Sequence, residues 1–388
     1  MIAPTAASSR YHALDALRAA MMFLGIYLHA VVAYSPTGGW PYKPVQLTTA
    51  LDASVGLIHV FRMPIFYVMA GFFTALLLQR YGLRRAADNR FWRIVVPFVV
   101  GWIILFPLVV LLAGIGRRGL EPTLDFILSG RFLDYAHPLH LWFLEYLIVL
   151  YLLALVAVAA VRRLLPATVR ARLLRLFRAA VQSLWAPLIF AVPSFLAMLL
   201  MKYPWLEDPP SFVPAPRIVI AYAIPFAFGW LLYLYADLLE TLSRRAWLYA
   251  AGAAVASVAY LAGFRLPVDR EVAFYLMRIL HSVALWLLIF AVTGLFLRYL
   301  GRHSALGRYL CDSSYFLYLA HMPVIIAFQL LLRDVPLPPL AKVPLVLAAT
   351  IAVLLPLYRY GVRPTVIGAV LNGRRYPGAF TPAVAAAD

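Results

Sequence analysis

Two ionisable side chains, Arg18 and His29, stand eleven residues apart inside the apolar run LDALRAAMMFLGIYLHA of residues 14–30. Eleven residues is close to three turns at about 3.6 residues per turn, so a helix carries both on one face, roughly 16 Å apart at about 1.5 Å per residue. A neutral imidazole serves as general base or as nucleophile. A guanidinium offers phosphate or carboxylate a forked, permanent cation. Asp15 precedes Arg18 at i,i+3, the spacing of a same-face ion pair. That pair either carries Arg18 at a membrane edge or orients it toward an anion, and the spacing leaves both readings open.

Further polar groups interrupt the other apolar runs. LIHVFRMPIFYVMAGFF holds His59 and Arg62, again at i,i+3. An arginine this deep in hydrocarbon faces a polar cavity or a partner helix, because an intramembrane charge is costly; it is a candidate for contact with an anionic group. NRFWRIVVPF brings Arg90 and Arg93 one helical turn apart at the expected start of a helix. Forked guanidinium groups and a positive helix N-terminus both favour phosphate, and several arginines together suit a ligand with several phosphates. The alternative is a basic anchor on the cytoplasmic side. HPLHLWFLEYL gathers His137, His140, Trp142 and Glu145 near one span end. Glu145 has no partner by sequence and is a candidate to assist His29 or to bind an acceptor hydroxyl. His140 and Glu145 are five apart and no HExxH occurs, so no metal site is expected. SSYFLYLAHMPVI places His321 before Pro323, where it reads as a hydrogen-bonded wall residue. No GxSxG elbow, phosphate-binding P-loop or dinucleotide fingerprint is present.

These side chains need spanning helices to hold them. The chain has 388 residues, 64% hydrophobic and 13% charged, with mean hydropathy +0.86; a soluble domain carries about 25% charged residues. Apolar runs near the membrane-spanning length recur throughout. They predict spans at approximately 15–35, 55–79, 94–114, 141–161, 183–201, 217–236, 246–263, 279–297, 313–332 and 343–360. The expectation is an all-α polytopic membrane protein with about ten transmembrane helices around a central polar cavity. Residues 1–376 form one membrane domain, and 377–388 a disordered cytoplasmic tail. The first apolar helix carries charge and reads as a retained span, not a cleaved signal.

With the N-terminus in the cytoplasm, the inner segments hold about twice as many Lys and Arg as the outer ones, as the positive-inside rule requires. Both termini are therefore expected inside, and the net charge of +18 needs no nucleic acid to explain it. The basic stretch 162–182 reads as an amphipathic helix on anionic lipid headgroups. The single cysteine, Cys311, excludes an intrachain disulfide framework. No internal repeat is apparent, which argues against an inverted-repeat transporter.

R-x10-H in the first span (Arg18, His29), the LDxxR string around Arg18 and RxxR at Arg90 and Arg93 together resemble the integral-membrane acyltransferase-3 family. Four strings, LDALRAAMMFLGIYLHAVVAYS, FRMPIFYVMAGFF, HLWFL and SYFLYLAHMP, are similar to those of members that succinylate periplasmic glucans. The likeness runs from about residue 11 to 360 and is weakest in the fifth to eighth spans. It implies a bacterial inner-membrane enzyme with a cytoplasmic acyl-CoA cosubstrate, succinyl-CoA foremost, and no other cofactor. It implies delivery of the acyl group to a hydroxyl of a periplasmic glucan or other glycan, with membrane lipids as surroundings. His29 would be the catalytic histidine. Arg18 would support it or the donor, and Arg90 and Arg93 would contact CoA phosphates. The expected machinery is then His29, Arg18, Asp15 and Glu145 for catalysis, Arg90, Arg93, Arg62 and His59 for the donor, and His140, Trp142 and His321 for the acceptor. The alternative is a glycan or lipid transporter using the same charges without breaking a bond.

Overall fold

The computed structural model describes residues 11–209, 211–265, 267–374 and 376, and every regular element among them is helical. The expected tail at 377–388 lies outside the described residues. Helix α1 (His12–Val32) has no internal proline and is built from Leu, Ala and Met. Helix α2 (Asp52–Arg90) continues through a π-helical turn, Phe91–Val95, into α3 (Val96–Arg118). The joined stretch is 67 residues long. It does not run straight, because Gly82 adopts φ 76° and ψ 173°, a conformation open to glycine alone.

Short α4 (Leu120–Leu128) precedes α5 (Trp142–Leu164), α6 (Ala167–Gln182) and α7 (Ala186–Met198). Then come α8 (Pro216–Leu234), α9 (Leu238–Arg244), α10 (Ala246–Gly263) and α11 (Arg270–Tyr299). Helices α12 (Ala305–Leu331), α13 (Pro339–Pro356) and α14 (Val366–Asn372) complete the bundle. Among the described residues eight helices are long and apolar enough to cross a membrane, or nine if one bent pair counts as a span.

That bent pair departs from the expected fifth span at 183–201. Helix α7 has only 13 residues, roughly 20 Å at about 1.5 Å per residue, short of a hydrocarbon core about 30 Å thick. It turns 118° from α6, because Ser183 goes extended between them. Arg245 Nη1 donates to Gln182 O and Ser183 O, each at 2.8 Å, and locks the corner. The basic stretch forms α6 as expected, with Phe177 and Val181 buried and Leu173 and Leu176 exposed.

The helices divide into a centre and a periphery. In the most apolar 18-residue window of α1, α11 and α12 56% of residues are buried in protein, against 22% in the corresponding window of the 67-residue stretch. Peripheral Ile103, Ile104, Leu152, Val156 and Val255 stay exposed, as side chains facing lipid must. Tight backbone contact fixes one central seam. A Cβ at Gly71 of α2 would sit 1.9 Å from Phe226 O, and one at Gly229 of α8 1.8 Å from Val68 O. Reciprocal glycines let the two helices approach closely where association relies on van der Waals contact. The histidine-bearing helix α1 therefore lies in the protein's interior, against α2, α11, α12 and α13.

Candidate active site

Two cavities open at opposite ends of α1. Its first half, through Asp15, Arg18 and Met22, lines a pocket of about 500 Å³. Its last turns, through Leu28, His29 and Val32, line a cleft of about 2320 Å³.

The small pocket is basic. Arg18, Arg90, Arg93 and Arg374 line it with Asp15 and Asp312. Arg18 pairs with Asp15 at 3.4 Å. Arg90 donates to Thr74 Oγ1 at 3.1 Å and lies 5.0 Å over the Tyr151 ring. Arg93 donates to Leu371 O at 2.9 Å, and Tyr315 donates to Arg93 O at 2.7 Å. Arg374 meets Asp312 at 3.5 Å. Four guanidinium groups thus face two carboxylates. The pair Arg90 and Arg93 does not stand at a helix start, however. Gly82 begins the helix two turns earlier, so the amides at 90–93 lie inside a helical run and offer an anion nothing. Only the guanidinium groups are available. They sit beside a π-helical turn, an element frequent at functional sites.

The wide cleft is lined by His29, His59, His137, His140, Trp40 and Trp142 among others. His29 Nδ1 lies 2.7 Å from His321 Nε2, with the two rings stacked at 4.9 Å. His321 Nδ1 faces the carbonyls of Tyr318 at 2.7 Å and Leu317 at 3.1 Å. A carbonyl only accepts, so Nδ1 of His321 carries the proton and Nε2 of the neutral ring accepts. His29 must then donate from Nδ1. Its Nε2 keeps a lone pair, makes no hydrogen bond to protein among the described residues, and belongs to a ring that lines the cleft. The contact set in this way selects the base-competent tautomer.

His140 is fixed by the same logic. Its Nε2 donates to Leu319 O at 3.0 Å, and Tyr318 Oη donates to His140 O at 2.8 Å. Its Nδ1 is a buried acceptor without a partner. The turn that carries it is strained, since Leu139 adopts φ 52°, unusual for a branched residue. Rings of His140 and His29 lie 6.3 Å apart. Trp40 packs 5.4 Å from His29. Its indole donates to Gln329 Oε1 at 2.7 Å, and Gln329 Nε2 donates to Ala33 O at 3.1 Å. The end of α1 is thereby clamped. Among the described residues no group of three or more His, Cys, Asp and Glu is placed to hold a metal.

Arg62 lines neither cavity. It lies between them, 8% exposed, in a notch that Gly25 leaves on α1: a Cβ there would fall 2.4 Å from Arg62 Nη1. No carboxylate pairs with it among the described residues.

The chain matches the family model described as "Acyltransferase domain" over residues 11–359. It belongs to the acyltransferase-3 family. Glucans biosynthesis protein C of Salmonella schwarzengrund is 27% identical over 322 residues, 82% of this chain and 83% of that protein. The same-named protein of Salmonella paratyphi B is 27% identical over 327 residues. No solved structure matches the chain. The family membership and the apolar helices make this a multi-pass membrane acyltransferase.

Of the machinery expected from the sequence, the structure gathers Asp15, Arg18, Arg90 and Arg93 in one cavity and His29, His59, His140 and Trp142 in the other. His321 joins the second group through its bond to His29. Glu145 lines neither cavity; it is 8% exposed, and its Oε2 has no partner. Trp40, Gln329, Asp312 and Arg374 escaped the sequence reading. Each reaches the site across tens to hundreds of residues, and no local spacing marks it.

Proposed function

We propose that this acyltransferase is an inner-membrane O-acyltransferase that moves an acyl group, succinyl first, from cytoplasmic acyl-CoA to a hydroxyl of a periplasmic glucan or another envelope saccharide. One observation carries the reading. A single central helix presents Arg18 to an arginine-rich pocket and His29 to a wide cleft at the bundle's other end. The positive-inside pattern supports a cytoplasmic basic pocket and cytoplasmic termini. The turn at Gly82 supports two crossings within residues 52–118, giving ten spans when the bent pair is one. The names of the Salmonella relatives support the glucan.

The chemistry follows from the residues. CoA phosphates meet Arg18, Arg90, Arg93 and Arg374, with Asp15 orienting Arg18. The pantetheine arm extends along α1, moves the Arg62 guanidinium out of the Gly25 notch and brings its thioester toward His29. His29 Nε2 takes the acceptor's hydroxyl proton as the oxygen attacks the thioester carbonyl. The C–O bond forms, the C–S bond breaks, and the departing thiolate receives that proton from the imidazolium. Free CoA thiol and a saccharide ester result. Arg62 and His59 offset the charge developing on the carbonyl oxygen. For a succinyl group, Arg62 also suits the second carboxylate. The same lone pair serves an acyl-histidine route, which rapid quenching and mass analysis of the protein would detect.

Purified protein given succinyl-CoA and a glucan oligosaccharide should release free thiol and add one succinyl mass to the sugar. Absence of thiol release with every acyl-CoA tried rejects the enzyme reading. Thiol release with no acylated saccharide rejects the acceptor.

A further inference from the structure

His281 of α11 lines the wide cleft, yet it is 1% exposed, and neither ring nitrogen has a hydrogen-bond partner. A buried imidazole with both nitrogens empty leaves a donor and an acceptor unpaired, and buried polar groups are otherwise almost always bonded. It makes no ring contact with His29, His140 or His321; its electrostatic neighbour is His59, which also neighbours His29. An aromatic series leads to it. Trp205 and Phe264 at the rim are 40% and 53% exposed. Tyr203 stacks on Trp205 at 5.2 Å, Trp205 lies 6.3 Å from Phe264, Phe264 meets Tyr260 at 5.3 Å, and Tyr260 meets His281 edge-on at 5.3 Å. Trp205, Phe264, Tyr260 and His281 all line the cleft, as does Asp208. Aromatic residues of a membrane-interface belt would not need to border a cavity.

We propose that this arm of the cleft is a saccharide subsite that holds a glycosyl unit of the acceptor other than the one that reacts. Aromatic faces pack against the apolar face of a sugar ring. The deep imidazole donates to one hydroxyl and accepts from another, and the Asp208 carboxylate accepts a third at the exposed edge. A neutral, hydroxyl-rich ligand pairs both imidazole nitrogens at once, whereas a carboxylate or phosphate accepts only and leaves the ring's lone pair empty. The acceptor thus spans from His29 to His281, and chains long enough to fill both positions are preferred over single sugars. This rests on the acyl-transfer reading for its kinetic consequences, though not for binding.

The test compares wild type, His281→Phe, His281→Gln and the rim variant Trp205→Ala, all purified as the full chain. Glucan oligosaccharide binding is followed by intrinsic tryptophan fluorescence without donor, and KM for glucan and for succinyl-CoA is measured separately. Losing both hydrogen bonds should weaken glucan binding and raise its KM about tenfold, or ~1.4 kcal/mol. The KM for succinyl-CoA should stay within about twofold, and His281→Gln should recover part of the loss. Trp205→Ala is exposed enough to keep the fold and should move the same constants, so a failure of His281→Phe to fold does not end the test. Unchanged glucan binding in Trp205→Ala together with a folded His281 variant overturns the subsite, as does an equal rise in succinyl-CoA KM. Glucan binding sensitive to these residues in a protein that releases no thiol keeps the subsite and rejects the transferase reading instead.

Discussion

The two cavities on α1 are built from different materials. The basic pocket encloses about 500 Å³ and meets its ligand with Arg18, Arg90, Arg93 and Arg374. The cleft at the other end encloses about 2320 Å³; indoles, imidazoles and the rings of Tyr135 and Tyr260 wall it, and Arg117, Arg118, Arg131 and Arg265 line it together with Asp52, Asp125 and Asp208. Charge at short range suits a compact polyanion that is the same in every turnover. Broad aromatic walls, with arginines spread among carboxylates and imidazoles, suit a larger polar ligand held by shape as well as by charge. On the proposed acyl-transfer reading, the difference teaches that donor and acceptor recognition can change independently, with only His29 and its support common to both.

The most direct way to break the contrast is at that shared point. His29→Ala should reduce transfer by about 10³-fold, since general-base catalysis contributes 10²–10⁴, with membrane insertion unchanged by fractionation. Residual turnover near wild type would remove the imidazole from the chemistry. His321→Leu should cost somewhat less, about 10²-fold in kcat, because His29 then loses the acceptor that fixes its tautomer. Its readout is a flattened pH–rate profile, which a packing change alone would not give.

A smaller effect sharpens the contrast on one side. Arg93→Ala should raise KM for acyl-CoA by about 10–100-fold, the range expected on losing a hydrogen bond to a charged group. The KM for glucan should hold. Added salt should mimic this loss in part and act less on the cleft, where carboxylates offset the arginines and stacking is not screened. Equal salt sensitivity at both substrates would erase the distinction.

The smallest effect lies outside both cavities, in the loop before α8. Burial alone would push the Glu207 carboxyl up. The Arg217 guanidinium at 2.7 and 2.9 Å and the backbone amides of Lys202 and Tyr203 outweigh it and hold the group below its ordinary value. A carboxyl depressed in the folded state contributes stability above its unfolded value of 4.5, and that contribution fades as pH falls through the folded value. Wild type should therefore lose thermal stability below about pH 4.5 more steeply than Glu207→Gln, by a shift of a few degrees.

What the chain's sequence reveals follows from how local each feature is. Arg18 and His29 share one uninterrupted helix, so spacing alone placed them on one face. The spans were legible wherever apolar runs exceeded the crossing length. The fifth departed because Ser183 bends the backbone through a corner, which composition does not encode. The helix-start reading of Arg90 and Arg93 failed because Gly82, eight residues upstream of Arg90, is where the chain turns. Glu145 lines neither cavity although it is only one turn from Trp142, because which side chains border a hollow depends on the packing of other helices. His281 looked like part of an ordinary apolar span; its significance is that nothing bonds to it, and no sequence displays a missing partner.

The notch at Gly25 has one more consequence. A protein hollowed from both faces risks leaking ions and dissipating the membrane's electrochemical gradient. The Arg62 guanidinium stands in the septum between the two hollows, and a fixed cation at a constriction raises an electrostatic barrier to protons and metal cations. The insulation thus comes from one side chain lodged against one absent methyl, and Gly25→Ala would make the bilayer's integrity, not only catalysis, the property to watch.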